Sequence, residues 1–557
     1  MLKAPVRRRG LALLCAAALG VAAPAFAATA PAAATDASAL VEAARDGDAK
    51  AVEALLKARA PVNATTPDGA TALSWAVANS DADLVARLIA AGADANIGND
   101  YGVTPLIIAV RLANAPIVKA LLDAKANPNQ GMWTGEAPLM FASRDGLTDI
   151  MQQLLAQGAQ VDQRETRHGQ TALMWAAAAG KTDAVRLLIA NKANVALATP
   201  VAKVMVLSSG SPTTFDNSEI GEPIPAEKGG LTALMFAAGS EASNSETVAA
   251  LLDADPAAVN RAAQDGTTPL LFSLYRHIEP LHRYPHDFEI VGDIKIADLL
   301  IKRGANPNLG DVHGLTPLGA VVFSSYGTDH SGQVNVGPPL RPHPVEAAEQ
   351  AKLLLANGAD PNIRATFATP APAGGDLRSL ATARYMNVSP FLLAAALNQP
   401  QMVDLMMATG RVNISTPRDG GNTPLMDAVQ TVSPLAVTAL IKAGAAVNAV
   451  NSVNGQTALH MAAVGGNGSG PIVEYLVAHG AKYNIKDKAG KTAVDLALLP
   501  VPPRVEGNYR APIAPNTVLV QTRLRTPAPG ARGQPAMLTI AGKAPPAPPP
   551  QRTAANN

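Results

Sequence analysis

Metal or acid–base chemistry would need His, Asp and Glu held close together. The densest such group is His277, His282 and His286, with Glu279, Asp287 and Glu289 nearby. These residue types suit a divalent transition ion. No helix or strand pattern fixes their spacing, however, and a polar surface loop accounts for the same residues, so no metal site is assigned. The chain has no His-Glu-x-x-His, no Gly-x-Ser-x-Gly and no Walker loop. Gly465-Gly-Asn-Gly-Ser-Gly470 looks like a phosphate cradle before Pro471, but it lacks the lysine and the preceding strand and falls where a turn between helices belongs. The one cysteine, Cys15, lies in a leader-like segment. Beyond it there is no thiol for a nucleophile, a disulfide or a thiolate site. The sequence therefore points to no catalytic residue, no metal ligand and no cofactor.

The elements that would carry any site are built from one recurring unit. It is clearest in Thr171-Ala-Leu-Met-Trp-Ala-Ala-Ala-Ala-Gly180 with Leu187-Leu-Ile-Ala-Asn-Lys-Ala-Asn194 after it. Related stretches begin at Thr71, Thr104, Ala137, Thr232, Thr268, Thr316, Ser389, Thr423, Thr457 and Thr492. Where nothing is inserted they start about 33 to 36 residues apart, the mark of a stacked array rather than one globular core. Thr supplies an N-cap oxygen, the following Pro or Ala suits the first helical position, and Gly180 closes the helix. A second helix over 183–191 carries Val185, Leu187, Leu188 and Ile189, and it can hide an apolar face only against its partner and the next unit. Gly-Ala-Asp-x-Asn or a near copy follows at Gly92, Gly304, Gly358, Gly444 and Gly480, which reads as a tight turn.

These motifs resemble the ankyrin family over about residues 71–497. The resemblance implies an all-α repeat solenoid of stacked helix-turn-helix repeats with finger loops, acting by binding proteins rather than by catalysis. Eleven repeats are expected, after an N-terminal capping repeat over 37–66 that lacks the Thr-Pro signature. Regular repeats span 67–198, a finger insertion 199–230 in which residues 204–207 could be a strand, repeats with insertions 231–388, and C-terminal repeats 389–499. Further insertions are placed at about 277–292, 324–344 and 366–386. The His that follows Thr-Pro-Leu in this family survives only at His460; Met140, Met174 and Met235 replace it elsewhere. The aromatic stripe Trp75, Phe141, Trp175, Phe236 and Phe272 falls where ankyrin-like repeats pack inward, so it is expected in the core. Partner binding is expected instead at positions the family varies. These are Tyr101, Trp133, His168 and His313 on fingers, and Arg111, Arg144, Tyr275 and Arg276 at helix ends, with Trp133 the strongest.

Both termini differ from the array. Lys3, Arg7, Arg8 and Arg9, an apolar run over 11–23 and Ala25-Phe26-Ala27 read as a cleaved signal peptide, 1–27, and residues 28–36 as a disordered linker. Residues 500–557 form a Pro-rich basic tail expected to be disordered, with Arg504, Arg510, Arg523, Arg525, Arg532, Lys543 and Arg552 against Glu506. The tail would make at most weak contact with an anionic envelope polymer. A net charge of +1 gives no argument for nucleic acid, and no membrane insertion is expected once the leader is removed. The expectation is a non-catalytic interaction scaffold exported to the bacterial envelope, with the periplasm first and secretion second. The alternatives are an effector acting outside the cell, or an enzyme or metal protein whose site is built from the insertions.

Overall fold

The computed structural model describes residues 32–207, 223–240, 242, 244–274, 294–312, 314–324, 343–364, 388–418, 420–464 and 469–498. Within them the chain is a row of helix pairs. The inner helices are Ala72–Ala78, Pro105–Arg111, Pro138–Asp145, Ala172–Ala178, Ala233–Gly239, Pro269–Leu274, Pro317–Ser324, Pro390–Ala396, Pro424–Gln430, Ala458–Val464 and Ala493–Ala497. All but the last have an outer partner, from Ala82–Ala90 to Gly470–Ala478, and the pair Ala32–Asp46 and Ala49–Lys57 precedes the row. Each inner helix packs on the inner helices before and after it, and each outer helix does the same in its own layer. The all-α repeat solenoid expected from the sequence is therefore the observed fold.

Thr71, Thr104, Thr171, Thr232, Thr423 and Thr492, and Ser389 in the same role, each accept a backbone N–H three residues on. Ala137 at the equivalent place makes no side-chain cap. A helix of seven residues is too short to stand alone, so the cap only fixes where it starts. Its stability comes from burial: Leu73, Ala76, Leu106, Ala109, Leu139, Ala142, Leu173 and Ala176 join one continuous core with Leu84, Leu88, Leu121, Leu154 and Leu188 of the outer layer. Alanine recurs at one inner-helix position, as Ala76, Ala109, Ala142, Ala176 and Ala237, and its small side chain lets neighbouring helices approach.

The recurring Asn does more than shape a turn. Asn96 Nδ2 donates to Lys125 O at 3.2 Å while its Oδ1 accepts from Asn127 N at 2.7 Å. Asn129 repeats the clamp on Gly158 O and Gln160 N, Asn308 on Gly358 O and Asp360 N, and Asn448 on Gly480 O and Lys482 N. Each ties one repeat to the next through backbone groups left open at the end of an outer helix. The fingers are joined too: Asp100 N donates to Asp68 O, Trp133 N to Tyr101 O and Thr166 N to Thr134 O.

One finger is extended into a two-stranded antiparallel hairpin, β1 (Ala202–Leu207) with β2 (Pro223–Lys228). It contains the strand expected at 204–207. The helix Ala32–Asp46 begins inside the segment expected as linker, because the Ala-rich run is a strong helix former that continues straight into the buried Leu40, Val41 and Ala44. The expected leader, the insertions around 277–292, 324–344 and 366–386, and the basic tail lie wholly or largely outside the described residues. Among the described residues no helix is long and apolar enough to cross a membrane.

Candidate interaction surface

The side of the inner helices turned away from the outer layer carries a line of large apolar residues, broken at Ala320 and Asp427. It was expected to be core, and the structure bears this out in part. Phe141 is buried, but Trp75, Trp175, Phe236 and Phe272 are only half-buried at the edge of the core. The reason is geometric. Leu73, Leu139 and Leu173 join the core with the outer layer, whereas the residues two positions on lie on the opposite side of the helix and, Phe141 apart, pack against the edge of that core.

Two of the residues chosen from sequence cover that line. Arg111 ends its helix with its guanidinium 5.8 Å from the Phe141 ring centre. Arg144, one repeat on, lies 5.6 Å from Phe141 and 5.8 Å from Trp175. The two rings meet edge to face, 5.7 Å apart at 89°. Cations over aromatic faces hold the rings in place and keep them from stripping bare to water. Arg144 is also paired with Asp145, through Nε at 2.8 Å. Arg111 has no carboxylate within ion-pair distance among the described residues, so its donor fork is open.

The fingers above the same repeats hold the second pair. Trp133 is 72% exposed and Tyr101 43% exposed, and their rings meet edge on, 6.4 Å apart at 65°. Trp133 thus leans on the neighbouring finger yet keeps most of its surface in water. Its position is fixed by backbone, since Trp133 N donates to Tyr101 O at 3.0 Å and Gly135 N to Met132 O at 2.8 Å. A rigid aromatic that pays little ordering cost is the usual anchor of an interface.

His168 stands apart from both pairs. It sits half-exposed on the following finger, with Nδ1 3.9 Å from the Glu165 carboxylate. That carboxylate is buried and accepts the backbone N–H groups of Arg167, His168 and Gln170, so it shapes the finger. Tyr275, Arg276 and His313 lie outside the described residues, as do the histidines of the 277–286 cluster. Among the described residues no group of three or more His, Cys, Asp or Glu is placed to hold a metal ion.

Sequence reasoning missed a polar node farther along the line. Asp427 takes the place that Trp75 or Phe141 takes in other repeats and is 4% exposed. Arg364 and Arg418 both pair with it, Arg418 through Nε at 2.9 Å, and Asn422 Nδ2 donates to it at 3.1 Å. Asn451 extends the network to Asn422 Oδ1 at 2.7 Å. A single acidic residue in an otherwise apolar register was the available signal.

Comparison with known proteins agrees with this geometry. The family model described as "Ankyrin repeats (3 copies)" matches residues 40–132, 124–199 and 433–499. Over these residues the chain is built of ankyrin repeats. It is 37% identical over 106 residues to the putative palmitoyltransferase ZDHHC13 of Danio rerio, covering 19% of this chain and 16% of that protein. To the BRCA1-associated RING domain protein 1 of Caenorhabditis elegans it is 41% identical over 80 residues, 14% of this chain and 11% of the other. To the putative ankyrin repeat protein FPV031 of Fowlpox virus it is 32% identical over 116 residues, 20% of this chain and 33% of that protein. The matches span a third or less of each relative, so what is shared is the array. Ankyrin repeats in general are protein–protein interaction modules.

Proposed function

We propose that this ankyrin-repeat protein is a non-catalytic scaffold, exported by residues 1–27 to the bacterial envelope and working in the periplasm. Its partner is a protein gripped by the Tyr101–Trp133 finger pair and the Arg111, Phe141, Arg144 and Trp175 strip beneath. The observation that carries this reading is Trp133: an indole 72% exposed, held by a backbone hydrogen bond and backed by Tyr101, has no core role to explain it. The strip adds an aromatic floor with one cation, Arg111, free to meet a carboxylate of the partner. Binding by a preformed surface loses little entropy, so a few such anchors suffice for affinity.

The test is capture of partners from a periplasmic extract by the purified protein, with Trp133→Ala and Arg111→Ala/Arg144→Ala beside it. A protein retained by the wild type and released at least about tenfold more readily by Trp133→Ala supports the surface. Equal retention by all three forms refutes it. Export is tested separately by fractionation: protein found only in the cytoplasm would refute the periplasmic assignment, and protein found only in the medium would replace it with secretion.

A further inference from the structure

The hairpin that rises from the finger between Thr199 and Gly230 has two unlike edges. In β2, Pro223 and Pro225 have no N–H to donate. They pair with Leu207 and Met205. In an antiparallel ladder, opposed residues alternate between pairs that exchange both bonds and pairs that exchange none. A proline cannot sit in an exchanging pair. The exchanging pairs are therefore Ala202 with Lys228, Val204 with Ala226 and Val206 with Ile224. It follows that the backbone groups of Lys203, Met205 and Leu207 face away from β2, and so do those of Pro223, Pro225 and Glu227.

The outer edge of β2 is thus short of donors, which is how natural sheets block further pairing. The outer edge of β1 keeps every donor and acceptor. Among the described residues no other strand pairs with β1. The base of the hairpin is held on both sides, by Arg164 Nη1 donating to Ala198 O at 2.8 Å and Gln264 N donating to Gly229 O at 3.1 Å. At the foot of β1, Val201, Ala202 and Lys203 are exposed.

We propose that the outer edge of β1 pairs with the same edge of a second copy, antiparallel about a two-fold axis at Met205. The register is self-complementary. Met205 meets Met205 of the second copy, and Lys203 meets Leu207 in both directions, so all three outward residues of each strand exchange bonds at once. Antiparallel pairing keeps the two Lys203 charges at opposite ends, whereas parallel pairing would bring them together. The result is a four-stranded sheet whose outer edges are both the proline-bearing β2, so the assembly closes at two copies and does not grow into a fibre. This interface lies on the hairpin and is independent of the partner surface above.

The experiment is sedimentation equilibrium of the full-length protein over a concentration series. The wild type is expected to dimerise, and Met205→Pro, which removes the bonds at the axis without touching the hairpin's own ladder, to abolish the dimer. Leu207→Lys places like charges opposite each other twice and is expected to weaken the dimer about tenfold. Adding Lys203→Glu makes each of these pairs opposite in sign and should restore it, a result that a misfolded hairpin would not give. A wild type that stays monomeric up to about 100 μM overturns the proposal, as does a dimer that ignores Met205→Pro or a charge swap that fails to recover it. A monomer with slowly exchanging amides at Lys203, Met205 and Leu207 would assign the edge to a different extended segment, and also overturns it.

Discussion

Replacing Asn129 with Ala tests whether the inter-repeat clamp carries stability to the repeats that hold Trp133. Asn129 Nδ2 donates to Gly158 O at 3.0 Å and Oδ1 accepts from Gln160 N at 2.6 Å, so Ala removes both bonds between this repeat and the next. A net hydrogen bond is worth about 0.5–1.5 kcal/mol, and the groups here are exposed enough for water to replace part of it. The expected loss is about 1–2 kcal/mol. Asn129→Asp keeps the acceptor and loses the donor, and should cost about half of that. The chain already contains this half-clamp: Asp162, at the equivalent place one repeat on, accepts from Asn194 N at 3.0 Å. The assay is urea unfolding followed by tryptophan fluorescence. All three tryptophans, Trp75, Trp133 and Trp175, lie in the N-terminal part of the array, so the signal reports these repeats. A drop in midpoint of roughly 0.5 M is expected for Ala. In a row where each repeat touches only its neighbours, a weaker interface should also broaden the transition. An Ala variant within about 0.3 kcal/mol of the wild type, or an Asp variant as unstable as Ala, would refute the assignment of the load to these two bonds.

Other expectations follow from single contacts. Trp133→Ala should leave the urea midpoint within the equivalent of about 0.5 kcal/mol, since so exposed a ring adds little to folding, and a large shift would show that the indole is structural. Gly169→Ala should cost about 2 kcal/mol or more, because φ is +66° and the new Cβ would lie 2.2 Å from Pro200 Cδ; Pro200→Gly in the same chain should recover the steric part, and failure to recover would refute the clash. The last repeat should loosen in acid. Asp487 is held below the usual carboxylate range by the backbone N–H of Lys491 first, with the Gln456 side chain and the Ala489 N–H adding to it against the opposing effect of burial, and Asp495 is held down by Thr492. A carboxylate depressed in the fold contributes stability above its unfolded pKa of about 3.9 and loses it as pH falls through the folded value. Hydrogen exchange in 493–497 should therefore rise below about pH 4 while tryptophan fluorescence stays constant, and Asp487→Asn should blunt the change. Exchange that is independent of pH in this range, once corrected for intrinsic rates, would refute the role of these carboxylates.

The array was legible because each repeat spells out its own boundaries. Thr71, Thr171 and Thr232 announce a cap, the residue after them is Pro or Ala, and a Gly or a turn closes the helix, so local preference and global stacking agree. What the sequence did not disclose is the direction in which a side chain points once repeats stack. Trp75 and Trp175 stand where ankyrin-like repeats pack inward, yet they are only half-buried, packed against the edge of the core rather than within it. The Asn of Gly-Ala-Asp-x-Asn reads as a turn because its partners lie about one repeat away, at Lys125 for Asn96 and Gly158 for Asn129. A contact of that span leaves no mark within its own repeat. It shows only as the same residue returning at the same place.

The same logic separates what is general from what is particular on the candidate surface. Positions that recur with one residue type, such as the N-cap Thr and the clamp Asn, answer to the array and would be needed whatever the partner. Positions that break the recurrence answer to something else. Arg111 and Arg144 stand where Ala178 and Gly239 stand in later repeats, Trp133 has no aromatic counterpart at the described tips Arg167 and Lys488, and Asp427 replaces an apolar residue. Stacking alone demands none of these. Asp427 already has Arg364, Arg418 and Asn422 against it, with Asn451 behind Asn422, so its charge is met within the fold. Arg111 lies over the face of Phe141 with no ion pair among the described residues, and Trp133 meets the edge of Tyr101 and stays 72% exposed. The departures from the repeat that remain uncompensated thus fall in consecutive repeats, on the open face and the fingers above it, and it is there that a partner would gain most by supplying the missing carboxylate and the missing apolar cover.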